Sequence, residues 1–363
     1  AVRLGRLVYG PVAPLASPAR FCDSCPMLPA IFGLSGLTLG DDERAFLRDV
    51  DPAGYILFGR NIESRAQVRA LTDELRAIHG RERLFICIDQ EGGRVARMKP
   101  PVWPAYPTGE AFDRLYDVAP ASAIEAARCN AHALGLDLAE VGVSVDCYPS
   151  LDVRRPGAHD VIGDRAFGSD PMRVAALGRA ALDGLARAGV VGCIKHIPGH
   201  GRAMADSHKE LPTVEASEAE LEEDLRPFRS LSAAPVGMTA HVRYTAWDAE
   251  NPGTLSPFVI GDVIRQRIGF DGLLLSDDLD MQALDGTVPE RAARAIAAGC
   301  DIALNCWAKM DDMQGIAAAL PPLSGQSAER LERALTSAEP REGADHSELV
   351  AKRDALLALV AQA

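Results

Sequence analysis

Eight short runs of aliphatic and β-branched residues, set apart by stretches rich in Ala, Leu and Arg, constrain the fold of this chain more than any other feature. They are Ile31 to Leu34, Tyr55 to Phe58, Leu84 to Asp89, Val143 to Cys147, Val190 to Lys195, Val236 to Ala240, Leu273 to Ser276 and Asp301 to Asn305. Each is close to continuously apolar rather than alternating, as a strand covered on both faces must be. Between them, Arg65 to His79, Ala121 to Leu136, Pro171 to Ala188, Ala219 to Ser230 and Pro289 to Ala298 have helix-forming compositions. Strands joined by helical crossovers run parallel, and eight such units are the number at which a parallel sheet closes on itself. The expected fold is therefore α/β, a single (β/α)8 TIM-type barrel. An open doubly wound sheet would carry a glycine-rich phosphate loop after an early strand. Gly92-Gly93 follows a strand, but Arg94 comes next and no third glycine stands at the required spacing.

A length of 363 residues suits such a barrel. Residues 1–28, interrupted by Pro11, Pro14 and Pro18, are expected to form a loose N-terminal extension. Residues 29–363 are expected to form the catalytic barrel, with a loop over 321–343 and a closing helix from about Ser347 to Ala361. The balance of 38 Lys+Arg against 51 Asp+Glu gives a net charge of -13, opposite in sign to what phosphate backbones or anionic lipids attract. Neither nucleic acid nor membrane is an expected partner, and no apolar run approaches the roughly 20 residues of a membrane helix. Cys87, Cys129, Cys147, Cys193, Cys300 and Cys306 lie in apolar contexts, as reduced thiols of a cytoplasmic protein do. The Cys22-x-x-Cys25 pair lacks a second pair of ligands and is read as two thiols on the extension. A cytoplasmic monomer is expected.

The polar residues that interrupt this pattern fall at the carboxyl ends of the strands, where barrel enzymes keep their reactive groups. Asp89 ends the third strand, with Glu91 and Arg94 close behind and Arg97 one helical turn further on. Lys195-His196 ends the fifth, His241 the sixth and Asp277-Asp278 the seventh. Any one of them alone reads most simply as a solvated cap; four such ends in one chain do not. The segment 195–208 holds His196, His200, His208, Lys195, Arg202 and Asp206 among Pro198, Gly199 and Gly201, and so reads as a functional loop. The Asp206-x-His208 spacing suits a carboxylate that orients an imidazole for proton transfer. Asp277 leaves a buried strand at the barrel mouth. It suits a nucleophile toward an electrophilic carbon, provided that cations such as Lys195 or Arg165 keep it ionised. Asp278 is expected to point elsewhere in a structural role.

Four segments together carry a resemblance: 195–208, Ile88-Asp89-Gln90-Glu91-Gly92-Gly93-Arg94-Val95, Gly163-Asp164-Arg165-Ala166-Phe167-Gly168 and Ser276-Asp277-Asp278-Leu279-Asp280-Met281. In this order they resemble glycoside hydrolase family three, and more narrowly its single-domain bacterial β-N-acetylhexosaminidases of cell-wall recycling, over roughly residues 28–320. The resemblance implies that Asp277 is the nucleophile, that His208 is the acid/base and that Asp206 orients it. It also implies that Asp89, Arg97, Arg165, Lys195 and His196 hold a terminal N-acetylglucosamine. Family members commonly carry Phe at Ile197 and often Ser at Asp280, and neither position holds a reacting group.

The activity implied is retaining hydrolysis of a β-linked N-acetylglucosamine at a non-reducing end, in muropeptides carrying 1,6-anhydro-N-acetylmuramic acid. No metal and no organic cofactor is implied. Three other readings fit parts of the sequence. A phosphorolytic relative would use phosphate in place of water. A metal-dependent hydrolase would take His196, His200, His208 and Asp277 as ligands, but the first candidate strand offers no histidine for the usual His-x-His. A sugar-binding module would need no nucleophile facing a proton donor.

Overall fold

A computed structural model of the chain describes residues 27–340 and 343–362. The extension, apart from Met27 and Leu28, and the Cys22/Cys25 pair lie outside the described residues. Eight strands form the sheet: β1 (Leu28–Gly33), β2 (Pro52–Leu57), β3 (Phe85–Ile88), β4 (Val145–Asp146), β5 (Val191–Ile197), β6 (Val236–Thr239), β7 (Leu273–Leu275) and β8 (Ala303–Asn305). From β1 to β7 each strand pairs in parallel with the next in chain order, and β8 returns to β1 through Ala30 opposite Ala303. The parallel bridge between Leu275 and Ile302 joins β7 to the approach of β8, so the sheet closes into a single (β/α)8 barrel.

The continuous apolar runs follow from two shells of packing. Ile31, Ile56, Cys87, Cys147, Cys193, Val236 and Leu273 fill the barrel interior. Their chain neighbours Phe32, Leu57, Ile86, Ile194 and Leu274 pack outward against the helices. A strand alternates faces at every residue, so with both faces buried the polar residues are confined to the carboxyl-terminal part, as with Asp146 in β4, Lys195 and His196 in β5, Thr239 in β6 and Asn305 in β8.

The five expected helices are Arg65–His79, Pro120–Glu140, Pro171–Arg187, Glu218–Ser230 and Val288–Ala298. Their starts are encoded locally. Ser64 accepts from Gln67 N, Asp170 caps a helix that opens on Pro171, and Ser217 and Glu220 form a capping box. The expected loop over 321–343 instead contains a helix, Gly325–Leu335. Ser324 caps it by accepting from Ser327 N at 3.1 Å. Leu331 and Ala334 bury one face, and Arg330 reaches Asp301 at 3.0 Å and Asp271 at 2.7 Å. The closing helix spans His346–Leu357. No helix among the described residues is long and apolar enough to cross a membrane.

Candidate active site

The buried floor of the site is built from β3, β5 and the loop after β4. Beyond Asp89, the amides of Glu91 and Gly92 both donate to Val95 O, at 2.9 and 3.1 Å, reversing the chain in a tight turn. Gly92 sits at φ 106, and a Cβ there would lie 2.3 Å from Pro107 O, so the turn requires glycine. The Gln90 side-chain oxygen accepts from Arg97 N at 2.8 Å and Met98 N at 3.0 Å, which returns Arg97 Nη2 to 3.0 Å from Asp89 Oδ2. Arg97 is thus carried by a glycine turn, not by the helical turn its spacing suggested.

Lys195 Nζ lies 2.8 Å from Asp89 Oδ1 and 2.8 Å from Glu91 Oε1. Arg165 grips Glu91 with both arms, Nε to Oε2 at 2.9 Å and Nη2 to Oε1 at 2.7 Å. Burial alone would raise the pKa of both carboxyls. Lys195 and Arg97 outweigh it at Asp89 and hold that group far below the usual range, and Arg165 and Lys195 hold Glu91 at about 2. Lys195 is 2% exposed, so its removal leaves desolvated carboxylates under-compensated. Lys195→Met is expected to cost about 3 kcal/mol in urea unfolding. A variant as stable as the parent would show that the two arginines suffice.

Asp152, in the loop after β4, is fully buried. It accepts His196 Nδ1–H at 2.7 Å, His200 N–H at 2.6 Å and the Ser150 hydroxyl at 2.9 Å. This fixes the His196 ring with Nε2 left over, the arrangement in which a carboxylate sets an imidazole's tautomer. Buried His200 is pushed down to about 4 by desolvation and by neighbouring His196. An unfolded His200 takes up its proton near the ordinary imidazole value of 6.5 while the folded one does not, so its contribution to stability falls as pH drops from there toward 4. Glu91, depressed from 4.5 to about 2, withdraws its contribution below 4.5. Asp278, pushed up to about 8, works in the opposite sense over the same range, so the comparison of variants isolates His200: the unfolding free energy of the parent, measured by urea titration, should fall relative to that of His200→Gln as pH drops from 6.5 to 4, and a constant difference would speak against it.

Asp277 follows β7 and is half-buried at the mouth. Its Oδ1 accepts from Asp278 N at 2.8 Å and its own amide donates to Thr239 Oγ1 at 3.3 Å. Burial opposes its ionisation, yet His241, His196, the Asp278 amide and His208 together hold its pKa below the ordinary carboxylate value. The expected cations, Lys195 and Arg165, are instead engaged with Asp89 and Glu91. Asp278 turns its Oδ1 to Asp280 N at 3.1 Å and Cys306 N at 3.2 Å, while still lining the mouth. Burial and Asp280 push Asp278 up to about 8.

The long excursion after β5 leaves the strand at Ile197 and is pinned at its stem by Arg202, which bonds the buried Asp224 and donates to Glu220 O at 2.9 Å. Further along, Asp206 Oδ1 accepts from His208 Nδ1 at 2.8 Å and from His208 N at 3.0 Å. His208 is 65% exposed whereas Asp206 is 18% exposed. Between them Ser207 O accepts from Ala283 N at 3.2 Å, binding the excursion to the segment after Asp277. Asp89, Arg97, Arg165, Lys195, His196, His208 and Asp277 all line one cleft, with Phe58, Met238 and Leu304 as apolar walls and Asp206 behind His208. Among the described residues, no group of three or more His, Cys, Asp or Glu side chains is arranged to hold a metal ion.

The sequence reading missed Asp152 and gave Glu91 no part in the site. Glu91 was recoverable from its position in the third-strand segment; Asp152 sits in Ser150-Leu151-Asp152 with no distinguishing neighbour.

Residues 30–336 match the family model described as the Glycosyl hydrolase family 3 N terminal domain. A protein of Chromobacterium violaceum named Beta-hexosaminidase is 40% identical over 316 residues, covering 85% of this chain and 87% of that one. Its namesake from Aromatoleum aromaticum is 39% identical over 287 residues, covering 77% and 80%. Among solved structures, NagZ from Neisseria gonorrhoeae in complex with N-trifluoroacetyl-D-glucosamine is similar with a TM-score of 0.80 and 33% identity, covering 93% of this chain and 98% of that one.

Proposed function

We propose that this chain, which belongs to glycoside hydrolase family 3 and is a glycoside hydrolase, is a retaining exo-β-N-acetylglucosaminidase. Its substrate in this reading is a non-reducing terminal β-linked N-acetylglucosamine, in muropeptides carrying 1,6-anhydro-N-acetylmuramic acid released during cell-wall recycling. The names of the relatives and the glucosamine derivative bound by the Neisseria protein support the sugar. The observation that carries the reading is the sharing of one cleft by an ionised Asp277, a carboxylate-backed His208 and the buried cluster of Asp89, Lys195, Glu91 and Arg165.

The chemistry takes two displacements. Asp277 attacks the anomeric carbon as the aglycone oxygen departs, taking the proton of the His208 imidazolium, and a glycosyl ester on Asp277 forms. The neutral His208 then removes a proton from water, whose oxygen attacks the same carbon, and the Asp277 carboxylate leaves. Asp206 supports the imidazolium through its 2.8 Å bond to Nδ1. Histidine serves both steps because its ordinary pKa of about 6.5 lies close to neutral pH. Asp89, Arg97, Arg165, Lys195 and His196 bind the sugar, with planar carboxylate and guanidinium groups suited to paired hydroxyls. Residues 29–363 act in this reading as one catalytic barrel, a monomer in the cytoplasm, consistent with the buried unpaired thiols Cys87, Cys129, Cys147, Cys193, Cys300 and Cys306.

Incubation with a 5-fluoro N-acetylglucosaminyl donor, followed by peptide mass mapping, tests nucleophile, course and sugar together. The label is expected on Asp277; a label on another residue, or none, overturns the assignment. Release of sugar 1-phosphate in phosphate buffer would replace hydrolysis by phosphorolysis.

A further inference from the structure

Directly behind Asp277 lies a ring of buried polar groups that the two displacements do not use. Thr239, His241 and Thr254 are each 0% exposed. From the Asp277 amide the bonds run to Thr239 Oγ1 at 3.3 Å, on to Thr254 Oγ1 at 2.8 Å and to His241 Nδ1 at 2.7 Å. They finish at Asp278 O, 2.9 Å from His241 Nε2. The ring thus clasps both ends of the Asp277-Asp278 dipeptide, whose internal N–H, on Asp278, donates to Asp277 Oδ1 at 2.8 Å.

Counting protons assigns the direction of each bond. A carbonyl oxygen only accepts, so His241 Nε2 carries its hydrogen and donates to Asp278 O. Desolvation disfavours the imidazolium, so Nδ1 is bare and, at 2.7 Å, takes the single hydroxyl proton of Thr254 in preference to Ala240 O, which lies 3.1 Å from the same oxygen. The Thr254 oxygen is then open to the hydroxyl proton of Thr239, whose own oxygen receives the Asp277 amide. One neutral tautomer satisfies the whole ring.

We propose that His241 is a positioning residue for the nucleophile: its neutral Nε2–H tautomer anchors the Asp278 carbonyl and thereby aims the Asp277 carboxylate. The inference rests on Asp277 as nucleophile. A tilt of the dipeptide would swing the carboxylate, and misplacement of about 1 Å in a reacting group can cost about 100-fold in rate.

The test compares variants on 4-nitrophenyl N-acetyl-β-glucosaminide. His241→Phe fills the space without a donor. Its kcat is expected to fall about 100-fold, with KM and inhibition by free N-acetylglucosamine changed less than about threefold. His241→Gln, whose amide N–H stands near the position of Nε2, should recover most of the loss. Thr254→Val, which removes the proton given to Nδ1, should lower kcat about tenfold with KM kept. An undiminished kcat in His241→Phe, a parallel loss of N-acetylglucosamine binding, or a His241→Gln variant as impaired as His241→Phe would each overturn the proposal. Should thermal melting show that His241→Phe does not fold, Thr254→Val decides: an unaltered kcat overturns it. A parent enzyme with no turnover would overturn the hydrolase reading and this inference with it, whereas an active parent beside indifferent variants removes this inference alone.

Discussion

Asp277→Ala should lower kcat on aryl N-acetyl-β-glucosaminides by at least about 10⁴-fold, with the protein still folded and still binding N-acetylglucosamine. The carboxylate is the group that would form the covalent bond, so its loss removes a reaction step rather than weakening a contact. Folding should survive because Asp277 is only half-buried at the mouth, and the buried cations Lys195 and Arg165 are engaged with Asp89 and Glu91 instead. Truncation to Ala also vacates room at the anomeric carbon, so added azide should restore turnover and yield a glycosyl azide of inverted configuration. Full activity in the Ala variant, or rescue giving only hydrolysis, would mean that the nucleophile lies elsewhere. Thermal melting and N-acetylglucosamine binding in parallel separate loss of chemistry from loss of fold.

The second large effect is conditional. In His208→Ala, hydrolysis of a substrate with a poor, alkoxide-like leaving group should fall about 10²–10⁴-fold, because that oxygen needs its proton in the transition state. With a 2,4-dinitrophenyl group the first displacement should run near the parent rate, giving a burst of phenolate before a slow steady state. The slow phase reports the second role of the histidine, since no base remains to activate water. Stopped-flow measurement of burst and steady state separates the two roles, and equal losses for good and poor leaving groups would remove His208 from its assignment. The exposure of His208 argues that its deletion leaves no cavity, so stability should change by less than about 0.5 kcal/mol.

The barrel was legible because each strand is buried on both faces: its apolar run ends where the fold opens to the ligand, so Asp89, Lys195, His196 and Asp277 appeared in the sequence as abrupt polar interruptions. The pairing of Asp206 with His208 was legible because it is local, two residues apart. What depended on distance along the chain was not. Asp152 orients His196 from the loop after β4, 44 residues away. Lys195 and Arg165 do not neighbour Asp277, because Asp89 and Glu91 claim them first, and which carboxylate wins a cation depends on how β3 and β5 flank β4 in the barrel. Helix 325–335 was hidden because few large apolar residues carry its buried face. It is held as much by Arg330 on Asp301 and Asp271, contacts no periodicity reveals. Arg97 was given the right neighbour by the wrong route, since its return to Asp89 depends on the conformational freedom of Gly92.

The bond between Ser207 O and Ala283 N has a bearing on how the two halves of the chemistry keep their separation. His208 and Asp277 come from strands that are not adjacent, so the gap between them could in principle vary with every breathing motion of the barrel wall. Because the residue before the imidazole is stitched to a residue six beyond the carboxylate, the two segments are joined by a hydrogen bond as well as through the barrel. The proposed proton donor and nucleophile therefore share a mount, and a disturbance that shifts one segment is passed to the other.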